Sequence, residues 1–180
     1  LHRRAMVRQI DILQRFYAGQ ETYVSGDLLL YYVQGNPKKF VVPDVFVVKN
    51  LRQEDRRSFK LWNERIAPQV VIETTSKKTK KRDLKVKPQI YATIGVAEYF
   101  LFDPTRDYLD PPLQGSRLVG GQYQPIEPHS DGGLESLELG LRLVIEHGEL
   151  EFFRLADGSR LLDAEESIER EAESRQREVE

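Results

Sequence analysis

The sequence contains no cysteine. That removes disulfides, thiol nucleophiles and cysteine-ligated zinc from the possible chemistries. Long apolar runs are missing as well. No stretch approaches the ~20 residues that cross a bilayer, so no membrane partner is expected. The opening segment "LHRRAMVRQIDILQRFYAGQ" is charged throughout and lacks the apolar centre of a secretory signal. A cytoplasmic location is the default expectation. The chain opens on Leu1 and its single methionine is Met6, so the natural start is expected upstream. A large excess of one charge sign is also absent. The net charge is −2, so any affinity for a polyanion has to come from a local patch.

What is present suits one folded domain. A chain of 180 residues buries roughly 70% of its unfolded surface, enough for a real core. Residues 1–18 carry Met6, Ile10, Leu13 and Phe16–Tyr17 at helical spacing between charges, with Gly19 as a stop. "LLLYYVQ" and "FVVPDVFVVK" flank a turn signal at Gly35-Asn36-Pro37. The second run does not alternate, which predicts a strand buried on both faces. Pro43 cannot donate to a ladder, so regular pairing is expected from Asp44. "QVVIETT" and "AEYFLFDP" are two further strands. Between them residues 79–94 read as a helix closed by Gly95. Pro88 fits only a first helical turn, so this helix is expected to start near Lys85 or to kink there. This order of elements predicts an α/β core.

From Tyr108 onward the pattern turns to hairpins. They centre on Gly120-Gly121 and on His147-Gly148 and suggest a small, separate antiparallel region. "DAEESIEREAESRQREVE" is charged and helix-favouring, with only Ala164, Ile168, Ala172 and Val179 apolar. It reads as an exposed helix or as the start of a coiled coil. Trp62, the sole tryptophan, and Tyr91 are expected to pack in the core. His129 and His147 are expected at the surface.

The stretch "VVIETTSKKTKKRDLKVK" (residues 70–87) raises the question of chemistry. Glu73 ends a buried strand and Asp44 opens another. A lone carboxylate in such a place is costly unless paired. Neighbouring strands would bring the two acids within range of one divalent ion. Magnesium is satisfied by one or two carboxylates, a carbonyl and several waters. Seven of the eleven residues from Lys77 to Lys87 are basic, and such a cluster at a helix N-terminus opposes the helix dipole. Asp83 and Lys87 stand out beside the two acids. Plainer readings remain open: an Asx-type hydrogen bond for Asp44 and a solvated helix start for the basic run.

"PD" at one strand head and a glutamate in the next resemble the PD-(D/E)xK nuclease superfamily. In its usual form a lysine stands two residues after the glutamate, where this chain has Thr75. "PDVFVV", "VVIETTSKKTKKRDLKVKPQIYATIGVAEYFLFDP", "YVSGDLLLYY", "LWNE", "DPPLQGSRLVGGQYQPI" and "LGLRL" resemble more closely the Uma-type family of "putative restriction endonucleases". There the lysine lies on the following helix.

The resemblance implies a restriction-endonuclease-like α/β domain over residues 1–158: a mixed sheet flanked by helices, with an appended small antiparallel β region. Residues 159–180 would form a helical tail. It implies an endonuclease that hydrolyses DNA phosphodiesters with Mg2+ or Mn2+. Asp44, Glu73 and the Thr74 carbonyl would be the metal ligands, and Lys87 would be the catalytic lysine. His2 matches a histidine of the family's first helix. Lys77, Lys78, Lys80, Lys81, Arg82 and Lys85 would contact the nucleic acid. The partners this reading allows are DNA, a second copy of the chain and a coiled-coil partner through the tail. A rival reading keeps the fold without catalysis, as a nucleic-acid-binding or assembly module. A third, purely structural protein explains the tail but not the acids.

Overall fold

In the computed structural model, residues 1–179 are described. Helix α1 (His2–Phe16) leads into β1 (Thr22–Ser25), β2 (Leu30–Tyr31), β3 (Phe40–Val41), β4 (Val45–Lys49) and β5 (Phe59–Lys60). Next come the one-turn helix α2 (Leu61–Glu64), β6 (Val70–Thr74), a π-helical turn (Arg82–Val86), α3 (Lys87–Ile94) and β7 (Glu98–Phe102). The chain closes with β8 (Leu113–Val119), β9 (Gln122–Pro125), β10 (Leu134–Ser136), β11 (Leu141–Glu146), β12 (Glu149–Arg154) and α4 (Ala164–Val179).

Six strands form the main sheet in the order β1-β4-β6-β7-β8-β9. β6 and β7 are parallel and the remaining pairs antiparallel. The parallel step needs a crossover, which α3 supplies. Every residue of β6 and β7 is buried, as unbroken apolar runs between two layers require. On one face Leu13 and Ile12 of α1 pack against Val45, Val47, Ile72 and Phe100, and Leu143 and Phe152 of the β10–β12 sheet close the same core. On the other face Phe46, Val71 and Leu101 meet Tyr91 of α3, together with Leu30, Val41 and Phe59 of a short β3-β2-β5 sheet. The fold is therefore the expected α/β arrangement: a mixed sheet, covering helices, a small antiparallel sheet and a C-terminal helix.

Several details depart from the sequence reading. The hairpin at Gly120-Gly121 does not belong to the small sheet. Its strand β8 pairs with β7 residue by residue, Glu98 opposite Arg117 through Phe102 opposite Leu113. An apolar β7 left as an edge would expose its unpaired backbone groups, and β8 covers them. Only β10, β11 and β12 are separate. Glu98 anchors them to the main sheet: it accepts from the Ser136 hydroxyl, from the Leu137 and Glu138 amides and from Arg117. Pairing of β4 begins at Val45, one residue after Asp44.

Residues 79–94 are helical from Lys80, but not evenly so. Pro88 has no N–H for the Leu84 carbonyl, and its ring would press on that carbonyl in a regular α-helix. The chain widens into the π-helical turn just before it, and the helix ends at Gly95 with φ 89°. His129 and His147 are at the surface, as expected. Tyr91 is buried, but Trp62 is not a core residue. It sits half-buried in α2, outside both apolar clusters, and lines a surface cleft with Tyr31 and Lys60. No described helix is long and apolar enough to cross a membrane. Helix α4 has no buried residue along its described length, and Glu180 of the tail lies outside the described residues.

Candidate active site at the ends of two central strands

The antiparallel register places Val45 opposite Ile72 and Phe46 opposite Val71. One further pair puts Asp44 opposite Glu73, and opposed residues of an antiparallel pair share a sheet face. Each carboxylate is held by the other strand's backbone. The Thr74 amide donates to Asp44 Oδ2 at 2.8 Å and the Asp44 amide donates to Glu73 Oε2 at 3.3 Å. Gly26 makes this corner possible. A Cβ at that position would collide with the Asp44 carbonyl, so only glycine lets the end of β1 cross so closely.

Helix α3 closes the site from above. Its residues four apart lie on one face, and Lys87 and Tyr91 both reach Glu73. Lys87 Nζ donates to Oε2 at 2.9 Å and to the Val42 carbonyl at 3.3 Å, and the Tyr91 hydroxyl donates to Oε1 at 2.7 Å. Asp83, one turn earlier, stands 3.5 Å from Lys87 Nζ. Both its oxygens are buried without a hydrogen bond. From α1, His2 Nε2 lies 3.1 Å from Asp44 Oδ2.

The structure thus brings Asp44, Glu73, Lys87 and His2 together. The π-helical turn absorbs Pro88 without moving Lys87 out of reach. Thr75 is buried, its amide bonded to the Phe102 carbonyl and its hydroxyl without a partner. Lys77, Lys78, Lys80, Lys81, Arg82 and Lys85 all remain outside on the exposed face. Among the described residues the ion-paired lysines are Lys49 and Lys87, so the lysines of the run carry free charge. Reading Tyr91 as core packing missed its hydroxyl. Asp83 was visible as an acid four residues before Lys87, although its partner was not.

The electrostatics follow from crowding. Burial raises the Glu73 carboxyl to about 8, the neighbouring Lys87 pulling down and Asp44 pushing up. Burial also raises Asp83, with Lys87 opposing. Burial pulls the Lys87 ammonium down, but Glu73, Asp83 and Asp44 together outweigh this and hold it above the usual lysine value. Tyr91 is raised well above its ordinary value by burial and by Glu73, which keeps its hydroxyl a donor. Three carboxyl groups therefore crowd one ammonium, and Asp83 is met only by that ammonium, 3.5 Å away, and by the Thr79 and Thr75 side chains beside it. Carboxyl oxygens crowded in this way fit a divalent cation, which would take the place of the proton that burial leaves on Glu73. Asp44, 15% exposed, gives it a way in. No three His, Asp or Glu side chains among the described residues enclose an ion by themselves.

A family model described as "Putative restriction endonuclease", named Uma2, matches residues 1–157. The chain belongs to the Uma2 family. Helix α4 lies beyond the matched residues. No curated protein matches the sequence. The crystal structure of a "putative nuclease belonging to DUF820" from Anabaena variabilis is similar, with a TM-score of 0.56 over 77% of this Uma2 chain and 73% of that one. The two are 14% identical, so the likeness shows a shared fold.

Proposed function

We propose that this Uma2 chain is a metal-dependent endonuclease that hydrolyses DNA phosphodiester bonds. One observation carries the reading: a lysine from a separate helix reaches 2.9 Å from a buried glutamate whose strand neighbour presents Asp44 at the same end of the sheet. Asp44, Glu73 and the Thr74 carbonyl are the groups that would hold Mg2+ or Mn2+. When bound, such an ion lowers the pKa of water and neutralises charge on the phosphate.

The protein's own part is positioning. Lys87 would hold the attacking water in place and donate to the non-bridging phosphate oxygens as charge builds on them and the ester bond breaks, the water's proton passing to solvent; there a fixed ammonium outperforms solvent. Glu73 aims Lys87, and Tyr91 fixes Glu73. His2 and the Thr74 amide fix Asp44. The exposed basic run would hold flanking phosphates.

A supercoiled plasmid incubated with manganese tests this. Glu73→Ala and Asp44→Asn are expected to abolish nicking. Lys87→Ala should still bind the ion by calorimetry and cut on the order of 10²-fold more slowly, the scale of losing one transition-state donor. Cleavage by Lys87→Ala at the parent rate would remove the lysine from the chemistry.

The non-catalytic assembly module keeps one observation in its favour. Glu73 is fully buried and both its oxygens already have donors, so an ion must displace those donors. A chain that binds DNA and never cuts it with manganese present would support that reading.

A further inference from the structure

The short β3-β2-β5 sheet has a face the catalytic reading does not use. Leu30, Val41 and Phe59 are paired neighbours across its three strands and point into the core. One step along, Phe40, Tyr31 and Lys60 are paired neighbours on the outward face. The Tyr31 and Phe40 rings lie 5.9 Å apart, and Phe40 is 41% exposed. Trp62 follows directly and completes a cleft of about 470 Å3 with Tyr31, Asn36, Pro37 and Lys60. Among the described residues, no acid lines it. Lys38 and Lys39 flank it, exposed like Lys60. The ion-paired lysines among the described residues are elsewhere, at Lys49 and Lys87.

We infer that this cleft takes an unpaired base of the DNA substrate, stacked on Tyr31 and Trp62, with Lys38, Lys39 and Lys60 on the adjoining phosphates. The inference rests on the nuclease reading for its occupant. Half-buried rings that line an open cleft recognise the faces of bases, and free lysines recognise the strand that carries them. In a duplex those faces are covered by neighbouring bases, so a ring platform selects a single-stranded or extruded nucleotide. Position supports the same occupant. Strand β3 runs straight into the site, since Val42 follows it and accepts from Lys87. From Phe40 to Asp44 the chain spans at most about 14 Å, a few nucleotides from the phosphate that Lys87 would meet. Through the pairing of Tyr31 with Phe40 the cleft thus lies within a few residues of the candidate site.

Trp62, as the sole tryptophan, is a built-in reporter. The full chain is titrated with a short oligothymidylate and with a duplex of equal length, in EDTA so that nothing is cut. The oligothymidylate is expected to quench Trp62 emission saturably, and the duplex to do so many-fold more weakly. Tyr31→Ala should weaken single-strand binding about ten-fold or more. Replacing Lys38, Lys39 and Lys60 by glutamine, all at exposed positions, should flatten the dependence of log affinity on log salt by about 2. Trp62→Phe should lose the signal and keep the affinity in an electrophoretic shift assay.

DNA binding without quenching, equal quenching by duplex, no binding, or an unchanged salt slope would each overturn the inference. Plasmid cleavage is scored separately. Quenching without cleavage would sink the nuclease and keep the cleft, and cleavage without quenching would do the reverse.

Discussion

Glu73 has no exposure to solvent, yet the Tyr91 hydroxyl, the Lys87 ammonium and the Asp44 amide all converge on it. These donors do not cancel the effect of burial, which raises its carboxyl from 4.5 to about 8. Between those two values the folded chain keeps a proton that the unfolded chain has released. Unfolding therefore releases a proton in that window, and rising pH favours the unfolded state. Stability should fall as pH goes from about 4.5 to about 8 and level off above, at no more than about 1.4 kcal/mol per pH unit from this one group. Thermal melts across that range, for the parent and for Glu73→Gln, isolate the contribution. Parallel curves would show that Glu73 does not carry it. At this scale much was legible. Acids at the ends of unbroken apolar runs are costly, so Asp44 and Glu73 announce themselves. Lys87 follows only through the family resemblance, because its segment holds six other basic residues. Tyr91 was hidden for a physical reason: a tyrosine packs a core as well as it orients a carboxylate, and spacing cannot tell the two apart.

Helix α4 buries no side chain, so its stability rests on its root. There Asp163 caps the first turn. Its carboxylate accepts from the Glu166 amide at 3.0 Å while Glu166 returns a bond to the Asp163 amide at 3.0 Å. Arg8 of α1 donates to the same Asp163 and to Glu151, and Asp11 accepts from the Ala164 amide. Asp163→Ala should cost about 1–2 kcal/mol and lower the helical signal in circular dichroism, whereas Asp163→Asn should keep most of the cap. If both melt like the parent, the root is held by other interactions. The strands could be read from apolar runs and this helix from its charged, helix-favouring composition, because each signal is local. Which sheet a hairpin joins is not local. Its two turn glycines announced the Gly120-Gly121 hairpin, but only the open edge of β7 decided that β8 would dock there. The π-helical turn lay between these cases: Pro88 signalled a disturbance and the fold chose its form.

The whole molecule carries a net charge of −2, so its far field does not draw it to DNA. Attraction has to come from faces where positive charge is concentrated and unpaired. Lys77, Lys78, Lys80 and Lys81 are exposed at the start of the helix that carries Lys87, beside the candidate site. The sequence showed this run without showing whether neighbouring acids neutralise it. The fold supplies that answer, since Asp83, the acid within the run, is turned inward to Lys87. Replacing the four lysines by glutamine tests the surface as a whole. If they bind phosphates, duplex binding weakens and the slope of log affinity against log salt drops by about 3 to 4, close to one counterion for each phosphate no longer neutralised. Stability should move the opposite way. Positive charge at a helix N-terminus opposes the dipole, so its removal should raise the unfolding free energy by roughly a few tenths of a kcal/mol. Weaker binding together with higher stability is a pattern that general damage to the fold cannot produce. Filter binding of a duplex in divalent-free buffer over a salt series, with melts of the same preparations, gives both readings. An unchanged slope would mean that the run is only a solvated helix start and that DNA is held elsewhere.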